Sequence, residues 1–130
     1  MTANARRIEL AWRIVAAAGL VLLAALSLTP DPVALSDAPH ADKLQHVGAY
    51  AGLAWWLAQL EDGQLTQRRT AAMLMLLGVL LEAAQLWVAH RELSFGDILA
   101  NGVGVAIGTA VAPPRTRNVL AWLCTRVGDA

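Results

Sequence analysis

The sequence predicts an all-α protein: a four-transmembrane-helix bundle with both termini cytoplasmic and, at its C-terminus, either an interfacial helix or a disordered tail. Three observations predict it. Hydrophobic residues make up 57% of the chain and charged residues only 15%, far from the balance of a soluble domain. Four apolar stretches, Leu10 to Leu28, Leu44 to Leu60, Thr70 to Val88 and Phe95 to Ala112, each approach the ~17 to 25 residues that a bilayer core requires. Between them lie the turn formers Pro30-Asp31-Pro32, Pro39, Asp62-Gly63, and Ser94 with Gly96, which punctuate helices. The whole chain, 1–130, reads as one membrane domain with 113–130 as its tail.

The first stretch follows Arg6 and Arg7 and resembles a signal peptide in that respect. Its apolar run exceeds the ~7 to 15 residues of such segments and no A-x-A site follows, so it is read as a true span. Glu9 and Arg13 lie close enough to its entry to reach the headgroups. The tail places Val119, Leu120, Leu123 and Val127 at helical spacing beside Arg117 and Arg126, as in an interfacial helix.

Orientation follows from the ten basic residues. Arg6, Arg7, Arg13, Arg68, Arg69, Arg115, Arg117 and Arg126 fall on one side, Lys43 and Arg91 on the other, and cytoplasmic loops carry the excess. The balance offers nothing to a nucleic acid. The single cysteine, Cys124, excludes an internal disulfide, and no Cys/His spacing suggests structural zinc.

With this topology the residues least suited to lipid gather at the extracytoplasmic end. Asp42, His46 and Tyr50 recur at i, i+4 and i+8 of the second span, with Lys43 and Gln45 beside them. Glu82 and Gln85 share a narrow arc of the third span with Gly78 and Ala89, an arc expected to face protein. Asp97, Asn101, Gly104 and Gly108 share a side of the fourth span, and Arg91 sits in the loop above. Two small-residue pairs, Gly48-x-x-x-Gly52 and Gly104-x-x-x-Gly108, would let the second and fourth spans approach closely. The expectation is a pocket open to the outer surface.

Structural roles stand beside these functional ones. Asp42, with Gln45 three residues on, and Asp97, in Ser94-Phe95-Gly96-Asp97, both have the form of helix caps. Asn101 is also read as interhelical glue and His46 as a bundle hydrogen-bond donor. Glu82 is harder to explain structurally, since a carboxylate in hydrocarbon costs roughly 2.5 kcal/mol or more unless it finds a cation or a proton; a pair with Lys43 or Arg91 is its structural reading. His40 and His90 read as solvated loop residues. Trp55, Trp56, Trp87 and Trp122 read as interfacial belt or packing.

Taken together, Asp42-Lys43-x-x-His46, Glu82-x-x-Gln85, His90-Arg91, Ser94, Asp97 and Asn101 with Gly104 and Gly108 resemble the VanZ-like family over roughly Asp42 to Val111. Many members carry Pro-Gly before the arginine, where this chain has Ala89-His90. The resemblance implies a multi-pass protein of the bacterial cytoplasmic membrane. It also implies action on lipid headgroups or lipid-linked envelope precursors, and an effect on sensitivity to the glycopeptide teicoplanin.

Three readings of the constellation follow. In the first, a lipid-headgroup transferase or hydrolase, Lys43 and Arg91 hold phosphate oxygens as a point charge and a planar fork. His46 is then general base or nucleophile, Asp42 or Asp97 orients it, Glu82 is the complementary acid, and Gln85, Asn101 and Tyr50 bind substrate. No Ser or Cys nucleophile joins the set. In the second reading the same residues bind a headgroup or lipoglycopeptide without catalysis; in the third they fix helix register in a membrane scaffold. No cofactor is expected. A divalent ion on Asp42, His46, Glu82 and Asp97 is a lesser alternative, because Lys43 and Arg91 would compete with it. Transport is less favoured, since no ionisable set lines the cytoplasmic half. A homo-oligomer remains compatible with the sequence.

Overall fold

The computed structural model describes residues 2–30 and 40–128, and every regular element among them is a helix. Asp31, Pro32 and Pro39, expected as turn formers, lie outside the described residues. α1 spans Ala3–Ser27, α2 Ala41–Ala58, α3 Gln64–Ala84, α4 Phe95–Ala110 and α5 Val119–Gly128, and a single 3₁₀ turn, Gln85–Trp87, extends α3.

Local chemistry sets most of these boundaries. Thr2 caps α1, its Oγ1 accepting the Ala5 N–H at 3.2 Å, and Glu9 and Arg13 support the first turns with an i, i+4 ion pair at 2.7 Å. Pro30 bars continuation past Thr29. Gly63, extended, separates α2 from α3. Ser94 caps α4 through Oγ and the Asp97 N–H, and Pro113-Pro114 ends it. Asn118 caps α5, its Oδ1 accepting from the Ala121 N–H at 2.8 Å. The tail is therefore a helix, and it packs along α1, with Leu120 buried.

The helices run alternately up and down. At one end Trp12 of α1 stacks on Trp56 of α2 with ring centroids 3.8 Å apart, and each indole N–H donates to the other residue's carbonyl, at 3.1 and 3.0 Å. Gln67 of α3 donates to Ala58 O at this end, while Asn118 donates to Gln59 O. The opposite end joins the C-termini of α1 and α3 to the N-termini of α2 and α4.

α2 and α4 form the most extensive helix pair, and the reason is glycine. A Cβ on Gly104 would lie 2.5 Å from Val47 O, and one on Gly108 would overlap Ala51 O, so backbone rests directly on backbone. The other small-residue pair plays no such part: nothing lies within 4 Å of a Cβ built on Gly48 or Gly52. The expectation that both pairs would draw these helices together is corrected, because the face of α2 bearing Val47, Tyr50, Ala51 and Ala54 meets α4 and turns Gly48 and Gly52 away.

Large apolar side chains lie on the surface while several polar ones are buried with the core. Leu22 and Val21 of α1, Met73 and Leu76 of α3, and Leu99 of α4 are exposed. Glu82, Gln85, Asn101, Gln59 and Gln67 are buried. Two helices, Ala3–Ser27 and Gln64–Trp87, are long and apolar enough to cross a membrane, and only 6% and 28% of their apolar windows are buried. α4 is apolar but shorter.

Candidate functional site

Lys43 and His46 lie on the first two turns of α2, Glu82 on the last turn of α3, and Asp97 and Asn101 on the first two turns of α4. The glycine seam between α2 and α4 brings two of these elements together. Lys43 Nζ donates to Asp97 Oδ1 at 3.0 Å and to Asp42 Oδ2 at 2.9 Å. One turn deeper, His46 Nδ1 is 2.8 Å from Asn101 Oδ1. An amide oxygen only accepts, so Nδ1 carries a hydrogen and Nε2 is the nitrogen turned to the acidic residues. That Nε2 lies 3.8 Å from Asp97 Oδ2, too far for a hydrogen bond.

Glu82 completes the group from α3. Ligand atoms of His46, Glu82 and Asp97 all lie within 4.8 Å of one another. Glu82 is 2% exposed, and among the described residues one hydrogen bond reaches its carboxylate, from the Ser94 N–H to Oε2 at 3.3 Å. This bond explains how Asp97 is released from helix capping. In a capping box the acidic residue at the third helical position would accept the N–H of the cap residue. Here Glu82 takes that N–H from another helix while Ser94 Oγ accepts the Asp97 N–H at 3.2 Å. Asp97 is then free to face Lys43 and His46, and the S-x-x-D motif serves as half a cap.

Asp42 does not cap α2. The N-cap is His40, with φ 63° and no side-chain cap hydrogen bond, and the Asp42 carboxylate turns to Lys43 at the solvent rim. The Lys43 ammonium holds the Asp42 carboxyl below its usual range through their hydrogen bond. Asp42 first, then Asp97, raises Lys43 in return.

Other residues of the predicted set lie elsewhere. Arg91 donates from Nε to Thr29 O at 3.0 Å and from one Nη to Leu26 O at 3.3 Å, and Gln85 donates to Ser27 O at 3.0 Å. Both donate to carbonyls at the end of α1, where helix geometry leaves carbonyls short of partners, although Leu26 O also accepts the Thr29 N–H at 3.4 Å. Tyr50 is buried beneath His46, its ring fitting where Gly78 lacks a side chain. Ala89, expected to share the arc of Glu82, lies beyond the helix and is exposed. His40 and His90 are exposed loop residues, both with φ near 63°. An open cleft of about 330 Å³ lies at the other end of the bundle, lined by Glu61, Asp62, Gln67 and Asn118 among others.

Ser94 as the partner of Glu82 is not legible in the sequence, where it reads as a turn former, a helix cap and one residue of the family resemblance. Its position three residues before Asp97 signals a cap, not a partner on α3. The reciprocal Trp12–Trp56 pair was also missed, since Trp12 reads as one more apolar residue of the first span. No family model, no curated protein and no solved structure matches the chain.

Proposed function

We propose that this chain is a four-span protein of the bacterial cytoplasmic membrane with cytoplasmic termini. Its outer-end cluster acts on the phosphate headgroup of a lipid or a lipid-linked envelope precursor, in keeping with its resemblance to VanZ-like proteins. The exposed apolar faces of α1, α3 and α4 favour immersion in lipid. α2 carries Asp42, Lys43, Gln45 and His46 but packs against α1, α3 and α4, so that His46 and Tyr50 face protein while Asp42 and Lys43 lie at the rim. At 18 and 16 residues, α2 and α4 rise only about 27 and 24 Å. Both are shorter than a bilayer core of about 30 Å, which sets the cluster at their outer ends near headgroup depth.

One observation carries the proposal: a buried glutamate from one helix meets a histidine and an aspartate from two others within 4.8 Å. Ionisable groups at membrane depth are expensive and mark functional sites. Lys43, about two-fifths exposed, supplies a cation at the mouth for phosphate oxygens. His46 Nε2, its lone pair directed by Asn101, is the base that would take a proton from water or a hydroxyl, with Asp97 stabilising the resulting imidazolium. Arg91, engaged by α1, positions that helix.

Native mass spectrometry of the purified protein tests this reading. A specific phospholipid or lipid-linked precursor should be retained by the wild type and by His46→Gln, and lost from Lys43→Ala. Conversion of that lipid by wild type and not by His46→Gln identifies catalysis; equal behaviour identifies a binder. Lipid retention indifferent to Lys43 removes the headgroup reading.

A further inference from the structure

The cluster sets three carboxyl groups, of Asp42, Asp97 and Glu82, around one lysine and one histidine. Lys43 is shared between Asp42 at the rim and Asp97 Oδ1, while Glu82 and the second oxygen of Asp97 lie beside the His46 ring. Glu82 has no ion pair among the described residues, and Arg91, the nearby cation expected to compete, is committed to the carbonyls of α1. His46 Nε2 and Asp97 Oδ2 face each other at 3.8 Å, beyond hydrogen-bond range.

We propose that His46 Nε2, Glu82 and Asp97 Oδ2 bind one divalent transition-metal ion of the zinc class. One imidazole with two carboxylates suits zinc better than calcium, which takes six to eight oxygens, or magnesium, which keeps an all-oxygen octahedron. Zinc–ligand bonds of about 2.1 Å in a tetrahedron put ligand atoms about 3.4 Å apart. The His46–Asp97 pair therefore needs to close by only about 0.4 Å, and Glu82 offers an oxygen from the same 4.8 Å group. The second shell is already present. Asn101 accepts the Nδ1 hydrogen, as outer-shell carbonyls do for ligating histidines, and the Ser94 N–H holds Glu82. Lys43 stays on the other oxygen of Asp97. Three protein ligands leave a fourth position open, where a phosphate oxygen would sit beside Lys43.

The inference deepens the headgroup reading and rests on it for its purpose: with the ion bound, His46 acts as ligand and the ion takes over polarisation of the headgroup. Binding itself is measured without lipid, so the two readings fail separately.

The experiment is zinc titration of the tag-free full chain in detergent, by calorimetry and by metal analysis after desalting. One zinc per chain is expected, weakened about 100-fold or more in His46→Ala and Glu82→Gln, and about 10-fold or more in Asn101→Leu, as loss of an outer-shell partner does. Lys43→Met should bind zinc more tightly, because a competing cation has left Asp97. Glu82→Gln keeps an acceptor for Ser94, so its melting temperature without metal reports the fold. A melting temperature at or above wild type together with lost zinc supports the site. No zinc in the wild type, or equal zinc in His46→Ala and Glu82→Gln, overturns it, the latter assigning the metal to His40 or His90.

Discussion

Replacing Gly104 by alanine puts a methyl group where α4 meets the backbone of α2. The new Cβ would lie 2.5 Å from Val47 O, 2.9 Å from Tyr50 Cβ and 3.1 Å from Ala51 N, whereas ordinary contact begins at 3.4 Å. The nearest obstacle is backbone, which no rotamer change can move. The helices must therefore part by about 0.9 Å, an overpacking strain of about 1 to 3 kcal/mol. The same movement stretches the 2.8 Å His46–Asn101 and 3.0 Å Lys43–Asp97 contacts past hydrogen-bond range, at roughly 0.6 kcal/mol each in a membrane bundle. The total, about 2 to 4 kcal/mol, corresponds to a melting temperature lower by about 10 °C. Gly52→Ala is the control: its Cβ meets nothing within 4 Å, and alanine is the better helix former by up to about 1 kcal/mol. Thermal unfolding in detergent should thus separate two glycines with the same spacing motif, one intolerant and one neutral or stabilised. Equal loss at both positions, or none at Gly104, would refute the assigned seam.

Three further outcomes are expected. Arg91→Ala should lower stability by about 1 to 3 kcal/mol, the worth of charge-assisted bonds to carbonyls, while leaving headgroup retention unchanged; loss of lipid without loss of stability would return Arg91 to the binding set. Trp12→Phe removes one of two reciprocal indole–carbonyl bonds and should abolish the near-ultraviolet exciton signal of the stacked pair; a persistent signal would count against the stacking. In Lys43→Met the Asp42 carboxyl should titrate at higher pH by ¹³C NMR. Its folded-state value is held low by Lys43, so the pairing holds above the ordinary carboxylate range and is lost only as pH falls through the depressed value. An unchanged titration would break that link.

Periodicity placed the helices and grouped the polar residues by depth, because both follow from rise and turn along a single segment. His46, Glu82, Asp97 and Asn101 do meet, at the end of the bundle where alternation of the helices puts them. Which face meets which neighbour is a property of two helices at once, and here the reading lost resolution. Gly48-x-x-x-Gly52 and Gly104-x-x-x-Gly108 are equivalent in sequence, yet the first pair faces outward. Arg91 illustrates a second limit. A long, flexible cation reaches phosphate or carbonyl with equal ease, and its choice of Thr29 depends on where α1 ends, 62 residues earlier. α5 was undecided between helix and disorder for a similar reason: its first turn is held by Gln59, whose Oε1 accepts the Val119 N–H across 60 residues at 2.8 Å.

On the proposed reading, the orientation of the bundle decides which leaflet the cluster would face, and it yields a sharp prediction. Arg6, Arg7, Arg68, Arg69, Arg115 and Arg117 belong to the end where α1 begins, α2 gives way to α3, and α4 gives way to α5. Only Lys43 and Arg91 belong to the other, and both are engaged there, Lys43 by carboxylates and Arg91 by carbonyls. The retained positive charge is thus more one-sided than a residue count suggests, and one-sided Lys and Arg set orientation. In a Cys124→Ser background, which removes a half-buried thiol beside Ala5, single cysteines at exposed Glu92 and exposed Gln64 report the two ends. An impermeant maleimide should label Glu92→Cys in intact cells and reach Gln64→Cys only after permeabilisation. The reverse pattern would put His46, Glu82 and Asp97 on the cytoplasmic side, and a headgroup bound there would belong to the inner leaflet.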